Sequence, residues 1–135
     1  EKLAEGVTLP ANTADTTALK HIPGIGSYYA RKIVDYRERL GGFVSTSQIG
    51  EIEDLPAGIT RWFVLDKTDK PRQLRINHAT FKQLVRHPYL SYEQTKIIVT
   101  HIRQYGAIRS WRDLQLYKEF TQNDFKRLAP YISFK

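Results

Sequence analysis

The chain has no cysteine and no methionine among its 135 residues. Without cysteine there are no disulfides and no thiolate metal ligands, and the redox compartment stays open. No apolar run approaches the roughly 18 residues that span a bilayer, and no signal peptide is visible. The opening EKLAEG, with no initiator methionine, reads as a processed or trimmed terminus, so an upstream anchor or signal would fall outside these residues. Strand-like alternation is nowhere sustained. Catalytic signatures are missing too: there is no Ser-His-Asp or Cys-His arrangement, no Walker loop and no dinucleotide fingerprint, so no catalytic residue is assigned. His21, His78, His87 and His101 lack ligand spacing within a helix, so no metal site is expected. Glu51, Glu53 and Asp54 cluster in GEIEDL as the exposed end of a helix would.

What the chain does have is positive charge. Lys and Arg outnumber Asp and Glu by 21 to 14, for a net charge of +7 and a pI near 9.7. That balance favours anionic partners, nucleic acid first and acidic membranes or proteins second. A hydrophobic share of 41% fits a globular chain.

It also has an internal repeat. NTADTTALKHIPGIG and NHATFKQLVRHPYLS align without a gap at an offset of 65 residues, pairing Asn12 with Asn77, Leu19 with Leu84 and Pro23 with Pro88. The same offset carries on through Ile33-Val34 with Ile98-Val99, Gly41 with Gly106, Ser45 with Ser110 and Ile49 with Leu114. The polar stretch DKTDKPRQ between the copies has a linker's composition. The boundaries expected are a tail at 1–11, one unit at 12–65, a linker at 66–74 and a second unit at 75–135.

Apolar spacing within each copy is helical. Ala30, Ile33, Val34 and Arg37 follow i, i+3, i+4, i+7, with the arginine stem or solvent taking the last place; Ile98, Val99, Ile102 and Tyr105 make a comparable stripe. Asp15 stands where an N-cap belongs, and Gly41-Gly42 and Gly106 stand where helices end. Four short helices per copy, eight in all, are expected, and the fold class is all-α. Tyr36, Phe43, Trp62 and Trp111 are assigned to the core, while Tyr28 and Tyr29 either pack or stack on bases.

Chemistry concentrates at IPGIGSYYARKIV, residues 22–34. Gly24 and Gly26 allow a tight turn and leave backbone N–H groups uncovered at a helix start, where unpaired donors and the helix dipole favour an anion. Ser27 adds a hydroxyl, and Arg31 and Lys32, about a turn further on, add charge. Phosphate is the natural guest.

This pattern, with Ile22, Gly24, Ile25, Gly26, Ala30, Ile33 and Val34 in place, resembles the helix-hairpin-helix DNA-binding motif. The flanking N-x-A, the YR that follows and GGF are closer still to the ComEA-type branch of bacterial competence and DNA-uptake proteins. The resemblance covers nearly all of 12–65 and, more weakly, 77–132. It implies two small units of orthogonal, SAM-like helices that bind DNA backbone without sequence preference, duplex favoured, with contacts from Gly24, Ile25, Gly26, Ser27, Arg31 and Lys32. It also implies a periplasmic or membrane-anchored setting, with the cytoplasm still open, and allows a monovalent cation at the hairpin; no other cofactor is expected. Affinity on this basis is roughly 10⁻⁴–10⁻⁶ M at physiological salt.

The second copy departs from the pattern. HPYLSYEQTKII places Tyr89 and Ser91 at the glycine positions and Thr95 at the alanine, so the Tyr89 side chain is expected to block backbone approach. The later hairpins, EDLPAGITRWF and KEFTQNDFKRL, keep one glycine and none. Charge divides the other way: residues 1–67 carry 8 basic and 9 acidic side chains, residues 68–135 carry 13 and 5. A bipartite surface would join the backbone grip at Gly24–Ser27 to charge from Arg72, Arg75, Lys82, Arg86, Lys96, Arg103, Arg109 and Arg112. Two other readings stand beside this non-enzymatic DNA-binding module. One is a protein-interaction scaffold that keeps the fold; the other is an accessory domain of a DNA-processing enzyme.

Overall fold

Each copy builds one compact unit around a single long helix. A computed structural model describes all of residues 1–135, which divide into Glu1–Pro71 and Arg72–Lys135. In the first unit, Asp15 caps the short helix α1 (Thr16–Leu19) by accepting from the Ala18 amide at 2.8 Å. The long helix α2 (Ser27–Leu40) ends at Gly41 in the left-handed conformation, φ 100°. Two 3-10 turns follow, Thr46–Glu51 and Ile59–Trp62. The second unit opens with α3 (Phe81–Val85) and the long helix α4 (Tyr92–Tyr105), which starts and stops 65 residues after α2. A 3-10 turn at Trp111–Leu114 precedes α5 (Gln122–Leu128) and a last turn at Ala129–Tyr131. The chain is therefore mainly helical, as expected, although four of the helical segments are 3-10 turns. No helix is long and apolar enough to cross a membrane.

Two pairs of two-residue strands were not expected. β1 (Leu9–Pro10) lies parallel to β2 (Phe63–Val64), and β3 (Leu74–Arg75) lies parallel to β4 (Ile132–Ser133). They tie the beginning of each unit to its end. The bridge continues through Ala11 N–H to Val64 O and Ile76 N–H to Ser133 O, both 2.9 Å. So the stretch 1–11 carries β1 instead of trailing as a tail. The stretch 66–74, expected as a linker, holds a closed turn at Asp66–Asp69 and also β3. Thr68 donates its amide and its hydroxyl to Asp66, which holds that carboxyl below its usual pKa.

β1 and β3 keep the 65-residue offset, but β2 and β4 are 69 apart. Four extra residues thus enter the second half of the second unit. They give room for α5 where the first unit has only the Ile59–Trp62 turn.

Leu19, Ile22, Ile25, Ile33, Leu40, Phe43 and Ile49 fill the first core, and Leu84, Ile98, Ile108, Leu114 and Tyr131 the second. Trp62 joins the first core, while Tyr36 and Trp111 are half-buried, Trp111 stacking on Phe125 at 5.0 Å. Arg37 goes further in than a snorkelling stem would. Its guanidinium is buried and donates to the carbonyls of Ala14 (2.7 Å) and Ala11 (3.2 Å), tying α2 to the segment before α1.

One pair of bonds repeats in both units. Asn12 accepts from Phe43 N–H (2.7 Å) and donates to Phe43 O (3.0 Å); Asn77 accepts from Ile108 N–H (2.7 Å) and donates to Ile108 O (2.8 Å). The amide side chain stands in for a strand neighbour and pins the segment leaving the long helix. Asn77→Ala strands both polar groups of a buried residue. Its unfolding free energy in urea should drop by about 2–3 kcal/mol, and Asn12→Ala should cost a similar amount.

Candidate nucleic-acid interface

The hairpin between α1 and α2 is held from below by apolar packing. Ile22 and Ile25 are buried, and Ile25 N–H returns to Ile22 O at 3.0 Å, closing the turn. Gly24 sits at φ +88°, and a β-carbon there would lie 3.0 Å from Pro56 Cγ. That glycine is required by the fold. Gly26 is different: its backbone is extended (φ −101°, ψ −167°), and nothing lies within 4 Å of where a β-carbon would point. It caps α2 without any side-chain bond.

As a result the helix start is electrostatically open. The amides of Gly24, Gly26, Ser27, Tyr28 and Tyr29 have no acceptor in the chain; the first α2 bond at this end is Ala30 N–H to Gly26 O, 2.9 Å. Gly24, Gly26 and Ser27 are exposed. Five donors at the positive end of a 14-residue helix make a site for an anion.

Arg31 stands one turn above Ser27 on the same face, exposed and with no side-chain partner. Lys32 lies elsewhere. At about 100° per residue it is roughly 140° round the helix from Ser27. Its ammonium donates to Glu53 O at 3.2 Å and stands 5.5 Å from the Tyr28 ring. Ile25 contributes a buried side chain and shape, so of the predicted site residues Gly24, Gly26, Ser27 and Arg31 share the open face. Tyr28 is 62% exposed and meets half-buried Tyr29 edge-on at 5.4 Å, a surface pair beside the turn.

The second hairpin is closed from within. Ser91, at the position of Gly26, accepts from Gln94 N–H at 3.0 Å, and Gln94 Oε1 accepts from Ser91 N–H at 3.0 Å, a complete capping box. Tyr89 N–H donates to His87 Nδ1 at 3.0 Å. Three of the five amides that are open in the first unit are therefore taken in the second. The expectation that the Tyr89 ring covers the backbone needs correcting. The ring is buried, packed against His87 and Tyr131 with the Arg127 guanidinium 3.8 Å above it. Internal hydrogen bonds close this turn.

The cations of the second unit lie along its surface. Arg75, Lys82, Lys96, Arg103, Arg109 and Arg112 are exposed and make no side-chain hydrogen bond or ion pair. Arg72 and Arg86 are exposed too, each with an interaction inside the protein. Lys82 on α3 and Arg86 at its C-cap sit four residues apart, and Lys96 and Arg103 seven apart on α4, so each pair lies on one side of its helix. Glu51 accepts from the Tyr36 hydroxyl at 2.6 Å, a structural use for one member of the acidic cluster.

A family model described as the helix-hairpin-helix motif matches this chain twice, over residues 4–59 and 70–133. The chain belongs to the helix-hairpin-helix family. One match falls mainly on each unit, as two tandem copies of the motif require. The motif is associated with sequence-independent DNA binding, and nucleic acid is the class of partner this chain inherits from it. No curated protein and no solved structure matches the chain.

The two glycines should separate in stability measurements. Gly24→Ala forces a side chain into a left-handed residue pressed on Pro56, and should cost about 1–3 kcal/mol in chemical denaturation. Gly26→Ser should change stability by no more than about 0.5 kcal/mol, because serine caps as well as glycine does.

Proposed function

We propose that the chain is a non-enzymatic module that binds DNA through backbone phosphates, with the α1–α2 hairpin as its grip. One observation carries this reading: the five open amides at Gly24, Gly26, Ser27, Tyr28 and Tyr29, set against a second hairpin that satisfies itself. A phosphate oxygen accepts from these donors while Arg31 neutralises it from one turn above. Contacts of this kind carry no base information and position the duplex by its backbone. Ile25 holds the turn, and Lys32, tethered to Glu53, serves as a secondary charge.

The free cations of the second unit supply long-range attraction to the same polyanion. DNA uptake or competence is the setting favoured by the N-x-A, YR and GGF pattern around the hairpin, with repair as the other setting in which such a grip is useful.

A second reading concerns the second unit alone. Leu116 is 93% and Tyr105 72% exposed, and Ile97, Tyr105 and Tyr117 line a depression of about 360 Å³. Glu93, Lys96, Thr100 and Gln104 complete the lining of that depression, and a mixed polar and aromatic surface of this kind on α4 favours a protein partner there.

Fluorescence-anisotropy titrations with duplexes of unrelated sequence test the main reading. Gly26→Ser supplies an internal acceptor for the α2 amides, as Ser91 does for α4. It should weaken binding about 10- to 100-fold while the fold is unchanged, since a hydrogen bond to a charged group is worth about 1.5–3 kcal/mol. Equal affinity of parent and variant would rule out the grip. Arg31→Ala should flatten the dependence of log K on log salt by about 0.9, the contribution of one phosphate. A slope equal to the parent's would take Arg31 out of the interface.

A further inference from the structure

The hairpin has a second polar rim, made of acceptors. Carbonyl oxygens from the end of α1 and from the turn, those of Lys20, Ile22 and Ile25, converge on one point, and the Lys2 ammonium occupies it. Nζ lies 2.6 Å from Lys20 O, 3.3 Å from Ile25 O and 3.4 Å from Ile22 O. The Lys20 and Ile25 carbonyls take no other hydrogen bond, and the Ile22 carbonyl also receives Ile25 N–H. An ammonium has three donors and no acceptor, and here it meets three oxygens.

The segment around Lys2 is fastened to the same place. Leu3 N–H donates to His21 O at 2.7 Å, and His21 Nδ1 bonds Glu1 O. Pinned on both sides, Lys2 delivers its charge at a high effective concentration, without the cost of capturing an ion from solution. Such a cradle of carbonyls is also what a monovalent cation would need. With the ammonium in place there is no room for one, so the cation allowed by the family resemblance does not fit beside Lys2. The first family match begins at residue 4, so this strap lies outside the motif.

We propose that Lys2 replaces a bound monovalent cation with a tethered one. Its ammonium neutralises the carbonyl rim and holds the turn in the shape that presents the open amides of Gly24, Gly26, Ser27, Tyr28 and Tyr29. Hairpin geometry in this chain is therefore indifferent to the monovalent cation in solution. That DNA binding is equally indifferent rests on the function proposed above; the effect on the hairpin itself does not.

The test compares the parent with Lys2→Met and Lys2→Gln, the second keeping a neutral donor. Amide shifts of residues 22–29 and the thermal midpoint are followed as KCl replaces tetramethylammonium chloride at constant ionic strength. The parent should show no potassium-specific shift. Both variants should show a saturable one, with a midpoint in tetramethylammonium about 4–8 °C below the parent that recovers as potassium saturates. A saturable potassium shift in the parent, or none in either variant, overturns the proposal. Adding DNA to the same samples keeps the two ideas apart: loss of DNA binding by the parent would count against the grip and leave the potassium result standing.

Discussion

The N–H groups that begin the longest helix of each unit must find acceptors, and much of what distinguishes the two units follows from how they do so. In the second unit Ser91 and Gln94 close a capping box and His87 takes the amide of Tyr89, so the turn is complete without a ligand. In the first unit glycine replaces the serine, and nothing inside the chain replaces the lost acceptor. An unpaired donor left to water costs little, but a row of them at a helix start gains strongly from an anion. Ser91 and Gln94 show that these amides can be satisfied internally, and the first unit leaves them to solvent. Open donors are what a binding hairpin requires.

Keeping the turn open takes support from below and behind. Pro56 fills the space under Gly24, Ile22 and Ile25 anchor the loop in the core, and buried Arg37 ties α2 back to the carbonyls of Ala11 and Ala14. Lys2 occupies the carbonyl rim. The hairpin is thus polarised, with acceptors met by the protein's own charge and donors facing solvent. Two-residue parallel bridges and the Asn12 and Asn77 side chains close each unit on itself, so this arrangement is made within Glu1–Pro71.

The repeat, the two long helices, the Asp15 cap and the hairpin were legible because they rest on local patterns: periodicity, capping chemistry and a constant offset. Asn12 and Asn77 stood out as repeated residues, yet their partners lie 31 residues on, and no local pattern reveals that. The burial of Arg37 was hidden for the same reason, since its acceptors precede it by 23 and 26 residues. Strands of two residues leave no alternation to detect. The four-residue slip that makes room for α5 begins where apolar matching between the copies runs out. Lys32 looked equivalent to Arg31 in sequence; only the turn of the helix, which carries it to Glu53, tells them apart. The role of Lys2 was out of reach of pattern because a single lysine, 18 to 23 residues from its acceptors, has no signature.

Amide shift mapping during titration with a short duplex of arbitrary sequence is the most direct measurement of the central claim. The largest changes should fall on Gly24, Gly26, Ser27, Tyr28 and Tyr29, with Tyr89, Ser91 and Gln94 nearly still. Changes centred on residues 89–94, or confined to the charged surface of the second unit with 24–29 unmoved, would contradict it.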